Sequence, residues 1–156
     1  MDKVERDEIM FGWVKYQWGA DHPSGVPYNN VWRILPPNPW FNLQINCFNR
    51  KDTDPWEHDH PGQSISLCLW GKARETGEID GKRFDRVIGP GRIVHRPARF
   101  IHQVNPLTKH FITFIAMFGP WQSWGFYTDK GRIDYIEAGK IRRERWKKET
   151  KMESHS

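Results

Sequence analysis

From Phe41 onward the chain is cut into short stretches in which apolar and polar residues alternate. Phe41-Asn-Leu-Gln-Ile-Asn-Cys-Phe48 is the clearest. Ser64 to Trp70 repeats the pattern, with Ile65, Leu67 and Leu69 on one side and Ser64, Ser66 and Cys68 on the other. A period of two is that of an extended chain with two unlike faces, and it does not suit a helix. Gly71 closes the second stretch. In EIDGKRFDRVIG the Asp80-Gly81 pair signals a two-residue hairpin. Further strands are expected at Arg92 to Arg96, Phe100 to Val104 and His110 to Phe118, separated by Pro97 and Asn105-Pro106. A last hairpin is expected from Trp124 to Thr128 and Arg132 to Ile136. Short strands with closely spaced turns define a mainly β sandwich or barrel. No βαβ alternation and no internal repeat competes with that reading.

The flanks read differently. Val4, Phe11, Val14 and Trp18 fall near helical spacing, so residues 1–20 are expected to form an N-terminal helix packed on the barrel. Residues 20–39 carry Pro23, Gly25, Pro27, Pro36, Pro37 and Pro39 and read as a loop, with a short edge strand at Val31 to Leu35. The barrel is expected over 21–136, followed by a basic helical or disordered tail over 137–156. Ile141 and Trp146 are that tail's only apolar anchors. A chain of 156 residues suits one such domain.

Composition removes several function classes. The net charge of +5 invites a nucleic-acid reading, but Lys140 to Lys151 holds seven basic and two acidic residues, and the remainder is formally neutral. Basic residues such as Arg142, Arg143, Arg145, Lys147 and Lys148 bind phosphates weakly and without specificity. A solvated tail is the favoured reading. No apolar run approaches the ~20 residues of a membrane span. The opening MDKVERDEIM is too charged for a signal peptide, so a cytoplasmic protein is expected. Cys47 and Cys68 are too far apart for a metal clip or a disulfide framework. Nine Trp, nine Phe and four Tyr argue against disorder and are expected to fill the barrel and a subunit interface. No phosphate-binding loop, nucleophile elbow or paired-cysteine zinc pattern occurs.

The histidines carry the chemistry. In Trp56-Glu-His58-Asp-His60-Pro the two imidazoles are one residue apart. On a strand they face the same way, roughly 6–7 Å apart, close enough to share one ion at ~2.0–2.2 Å per bond. Asp59 then points away. Downstream lies Gly91-Arg-Ile-Val-His95-Arg-Pro97-Ala-Arg99-Phe-Ile-His102.

Together these residues resemble the cupin superfamily, whose first motif is HxH with a later glutamate and glycine, and whose second is a glycine followed by PxGxxH. His58, His60 and Gly71 match the first; Gly91, Pro97 and His102 match the second. The resemblance spans about Trp56 to Asn105 and implies a cupin double-stranded β-helix, a jelly-roll barrel. Two departures matter. Ser64 stands where the cupin glutamate is counted, and Arg99 replaces the glycine of PxGxxH. The resemblance therefore implies a three-histidine metal site of His58, His60 and His102, similar to that of cysteine-dioxygenase-like thiol dioxygenases. His58-Asp-His-Pro and Trp124-Gly-Phe are also similar to a group of small cupins for which no activity is implied.

Three neutral imidazoles leave a divalent ion its full charge, so an anionic substrate can reach it, and Ser64 leaves room. Fe(II) is the favoured metal, with Zn, Mn or Ni as alternatives. The expected function is an Fe(II) dioxygenase acting on a small anionic molecule. The alternatives are a non-oxidative metal cupin (isomerase, lyase or hydrolase) and a non-enzymatic binding module. His95 is expected to hold substrate or orient water, and Tyr127 to act as an acid or hydrogen-bond donor. Arg99 pairs a carboxylate or phosphate, or else meets water on the outer rim. Asn42, Gln44 and Asn46 share one strand face and make a polar pocket if it looks inward. Glu75 reads as a solvent-facing hairpin carboxylate. A homodimer is implied by analogy, with no membrane partner.

Overall fold

The computed structural model describes residues 8–10, 13–18, 22–35, 38–51 and 56–153. The strands are β1 (Glu8–Met10), β2 (Trp13–Trp18), β3 (Asn29–Arg33), β4 (Phe41–Phe48), β5 (Glu57–His58), β6 (Gln63–Trp70) and β7 (Ala73–Ile79). They continue with β8 (Lys82–Ile88), β9 (Ile93–Arg96), β10 (Ile101–Pro106), β11 (Phe111–Phe118), β12 (Gly125–Thr128) and β13 (Gly131–Asp134). One helix follows, α1 (Tyr135–Glu153). The strands form a seven-stranded sheet, β1-β2-β3-β4-β11-β6-β9, and a six-stranded sheet, β13-β12-β5-β10-β7-β8. Every pairing is antiparallel. The alternating stretches became β4 and β6, and Asp80-Gly81 closes β7 onto β8 with both residues at positive φ (49° and 75°). That is the conformation a two-residue hairpin turn demands.

Which face of the large sheet turns inward is not the apolar one. Ser64, Ser66 and Cys68 are buried, whereas Ile65 and Leu69 are exposed on the outside. The apolar core gathers around Cys68, Ala73, Ile88, Val94, Val104 and Phe111. Those positions cluster at the turn-proximal ends of β6, β7, β10 and β11, leaving the rest of the interior to polar side chains.

The N-terminal helix expected over 1–20 is corrected where the structure describes it: 8–10 and 13–18 are strands. Trp13-Val-Lys-Tyr-Gln-Trp18 alternates as well as it rotates, and pairing of Tyr16 with Val31 and Trp18 with Asn29 decides for the sheet. Residues 1–7, 11–12 and 19–21 lie outside the described residues. The proline-flanked strand is not an edge, because β3 lies between β2 and β4. Its prolines fall outside the paired residues, so every ladder donor survives.

Of the two forms expected for the tail, the structure has the helix, continuous from Tyr135 to Glu153, with 154–156 outside the described residues. Asp134 caps it, its Oδ1 accepting from the Ile136 backbone N–H at 2.8 Å. Ala138, Arg142 and Trp146, spaced by four, form the face laid on the barrel, with Ala138 and Trp146 buried. Ile141, an expected anchor, is instead exposed. No helix among the described residues is long and apolar enough to cross a membrane.

Gly77 sits opposite His102 in the β7–β10 ladder. A Cβ there would lie 2.2 Å from the Ile101 carbonyl oxygen and 2.9 Å from His102 Cβ. Gly77→Ala is expected to push β10 outward and cost about 1–3 kcal/mol. Chemical denaturation should report that loss, and metal uptake should fall with it.

Candidate metal centre

The H-D-H segment is held by what its middle residue does. Asp59 is buried and accepts hydrogen bonds from the Gly125 N–H (2.7 Å), Tyr127 Oη (3.1 Å) and Arg132 Nε (2.9 Å). Turned toward β12 and β13, it leaves His58 and His60 facing the opposite way. Glu57 adds a bidentate bond from Arg83 at 2.6 and 2.7 Å. The His60 backbone N–H donates to the Ala98 carbonyl at 3.2 Å, and Gln122 Nε2 donates to the His60 carbonyl at 2.9 Å. His58 pairs with His102 across β5 and β10. The three rings converge, with centroids 4.8 to 5.3 Å apart. The Nε2 atoms of His60 and His102 lie 2.6 Å apart, and one nitrogen from each ring falls within 4.8 Å of the others.

Burial first, and then the nearby charge of His102, holds His58 and His60 well below the ordinary value of 6.5. His102 is lowered too by burial, though Glu75 opposes the shift. All three are neutral at pH 7, the form that ligates a metal. The donor set fits a divalent ion: three neutral nitrogens suit iron, zinc, nickel or copper. His58 Nδ1 is buried with no hydrogen-bond partner, a further mark of a ring built for something other than protein contact.

Glu75 is corrected most sharply. Expected in solvent, it is fully buried, with 0% of its surface exposed. It accepts from His102 Nδ1 at 2.5 Å, Arg96 Nε at 2.6 Å and Arg86 Nε at 2.7 Å. Burial alone would raise its carboxyl, but bonding from His102 and the charge of Arg96 win and hold it well below the carboxylate range. It fixes the tautomer of His102 so that Nε2 presents its lone pair. The sequence signal was present: Ala73, Glu75 and Gly77 alternate on one face of β7, and all are buried.

A cavity of about 490 Å³ opens beside the rings. Gln44 and Ser64 line it, as do Asn42 and Asn46, so the polar face of β4 does look inward. Three expected site residues do not reach it. His95 is exposed on the outer face of β9, because the inward positions of that strand are Val94 and Arg96. Arg99 is exposed in the turn before β10. Tyr127 is spent on Asp59, away from the cavity lining, and burial followed by the Asp59 charge raises its hydroxyl. The arginines that line the cavity are Arg33, Arg50, Arg96 and Arg142. Arg142 comes from α1 and lies over Phe126, 5.6 Å from the ring centroid.

The fold is that of the cupin barrel. A structure of Fe(II)-HppE with an alternative substrate, (S)-1-HPP, matches with TM-score 0.55 and 11% identity over 76% of this chain and 62% of that one. The hydroxypropylphosphonic acid epoxidase of S. wedmorenis matches with TM-score 0.54 and 11% identity, over 76% and 61%. A cupin 2 conserved barrel domain protein from Leptotrichia buccalis is 23% identical over 58% of this chain and 41% of its own, with TM-score 0.46. This chain thus spans about three-fifths of the first two structures. No protein-family model matches the sequence, and no curated protein does.

Glu75→Gln removes the charge that compensates Arg96 and is expected to cost about 3–5 kcal/mol in a denaturant titration. Metal affinity should drop about 10–100-fold. Acid should act in two stages on the metal-free protein. The imidazoles are lowered, so their contribution is complete above pH 6.5 and is lost as pH falls below it. The Glu75 carboxyl is also lowered, from 4.5, so its contribution disappears further down. Thermal melts at stepped pH check both stages; Glu75→Gln should lack the second.

Proposed function

We propose that this chain is a metal-dependent cupin enzyme, an Fe(II) dioxygenase acting on a small anionic substrate. One observation carries the reading. Three neutral imidazoles meet on the wall of a cavity into which four arginines project and which, among the described residues, no Asp or Glu lines. His58, His60 and His102 would hold the ion. Iron(II) held there would supply redox chemistry with dioxygen. The Fe(II) form of HppE, with its shared fold, supports iron as the first metal to test.

The chain's own residues then do three things. The arginines draw an anion into a low-dielectric cleft, where their field is focused. Glu75 keeps the His102 ring from rotating. Phe111, Met117, Trp121 and Phe126 give the cavity apolar walls that keep bulk water from the reacting centre. Gln44 and Ser64 face the substrate. His95 and Tyr127 take no part, given where they lie.

Elemental analysis of protein purified without a histidine tag is expected to show close to one first-row metal per chain, lost in His60→Ala. Anaerobic loading with Fe(II), followed by oxygen-electrode assays against small carboxylates, phosphonates and thiols, is expected to find a substrate-dependent uptake. Metal retention in His60→Ala would sink the site. Turnover without oxygen uptake would move the protein to the lyases, isomerases or hydrolases.

A further inference from the structure

The outer faces of the two sheets differ in kind. On the six-stranded sheet, Arg74 pairs with Asp85 and Arg83 pairs with Glu57, with Thr76, Glu78 and Gln103 between them. That is a face built for water. On the seven-stranded sheet, the outward positions of β3, β4, β6, β9 and β11 carry, among the described residues, no Asp, Glu, Lys or Arg. One row of register partners crosses all five strands: Ile93, Leu67, Phe114, Ile45 and Trp32. Ile65, Ala116 and Leu43 form a second row beside it. Partners on one face touch across the ladder, so the rows make one apolar surface about 19 Å wide at ~4.8 Å per strand.

The surface is bare. Ile93 is 68% exposed, Trp70 66%, Ile65 45% and Leu69 44%. At ~200 Å² for a fully exposed large side chain, those four alone show water on the order of 450 Å². The largest apolar patch on a monomer is ordinarily about 300–600 Å². Partly exposed Leu43, Ile45, Leu67, Phe114 and Trp32 extend it, toward the ~800 Å² per partner of a standard-size interface. The segments of this sequence outside the described residues do not suit the role of cover. Residues 1–7 carry five charges, and no other such segment exceeds four residues. A lipid surface is best met by an apolar face edged with Lys and Arg, and these strands turn none outward. A face without charge meets its own copy with no like-charge repulsion. Two sheets also pack face to face naturally, their side chains interdigitating over ~10 Å.

We propose that this face is a homodimer interface: two copies pack the outer surfaces of their seven-stranded sheets together, with the Ile93-to-Trp32 row across the middle of the contact. The contact needs no metal. It still bears on the site, because β4, β6 and β11 turn Gln44, Ser64 and Thr113 into the cavity from the opposite side. The dimer therefore braces one cavity wall from behind.

Sedimentation equilibrium on the whole chain, across micromolar concentrations, is expected to show a dimer. Ile65→Glu and Ile93→Glu each place a carboxylate in the contact and should weaken it at least about a hundredfold. Both positions are exposed in the single chain, so circular dichroism should stay unchanged. Val87→Glu, 51% exposed on the outer face of the six-stranded sheet, should leave the dimer intact. Should either isoleucine variant misfold, hydrogen exchange of the native chain supplies the test. Exchange in the edge strand β9 should slow as concentration rises, while the edge strand β8 stays unchanged. A monomer at every concentration, a dimer indifferent to both isoleucine variants, or a dimer broken by Val87→Glu overturns the proposal. So does a monomer that instead co-sediments with phosphatidylcholine vesicles, which would give the face to lipid.

Discussion

The site depends on one buried carboxylate. Glu75 has no exposed surface, and its two oxygens accept from His102, Arg96 and Arg86. A charge so placed is tolerated only because each bond comes from a donor that is itself anchored. Arg96, from β9 of the seven-stranded sheet, is held further by donating to Ser66 Oγ of the same sheet at 2.6 Å, and its bond to Glu75 of β7 ties that sheet to the six-stranded one. The same contact that orients a metal ligand therefore fixes the spacing of the two layers. Stability and chemistry share an atom, Glu75 Oε1.

Asp59 does a parallel job on the other side of the rings. Both acids face arginines and lie next to, or bonded to, a histidine of the cluster, yet neither contributes a ligand. Their negative charge is consumed locally: Arg132 answers Asp59, and Arg96 with Arg86 answers Glu75. What reaches the cavity is the neutral nitrogen set, with Arg33, Arg50 and Arg142 among its lining. The helix adds to this by turning Arg142, with Ala138 and Trp146, onto the barrel instead of into solvent.

Much of this was legible before any coordinates. Strict alternation in 41–48 and 64–70 and the Asp80-Gly81 turn specify strands because period two has no helical equivalent, and HxH with the later His102 specified the cluster. Three things were not legible, each for a physical reason. Alternation says that two faces differ but not which is inside, and here the aliphatic face of Ile65, Leu67 and Leu69 looks out, beside Ile93 of β9. The strand 13–18 fits both periods, so only its partner decides. Glu75 is a charged residue at a buried position and Arg142 one at a half-buried position, and charge alone reads as surface until a cavity or a cation is shown to meet it.

That inversion explains why the interior can be a site at all. A barrel packed on both sides with aliphatic side chains would close over its metal. Here the apolar core is confined to one end, around Cys68, Val104 and Phe111, while amides and hydroxyls occupy the middle of the large sheet. Burying them costs free energy, which the Asn42–Gln44–Asn46 bonds recover in part, while Asn42 Oδ1 and Thr113 Oγ1 are buried without a hydrogen-bond partner. The remainder is a standing preference for polar contents over an apolar filling. Four arginines and, among the described residues, no Asp or Glu line the same cavity, so its polar character does not depend on which metal the histidines would hold.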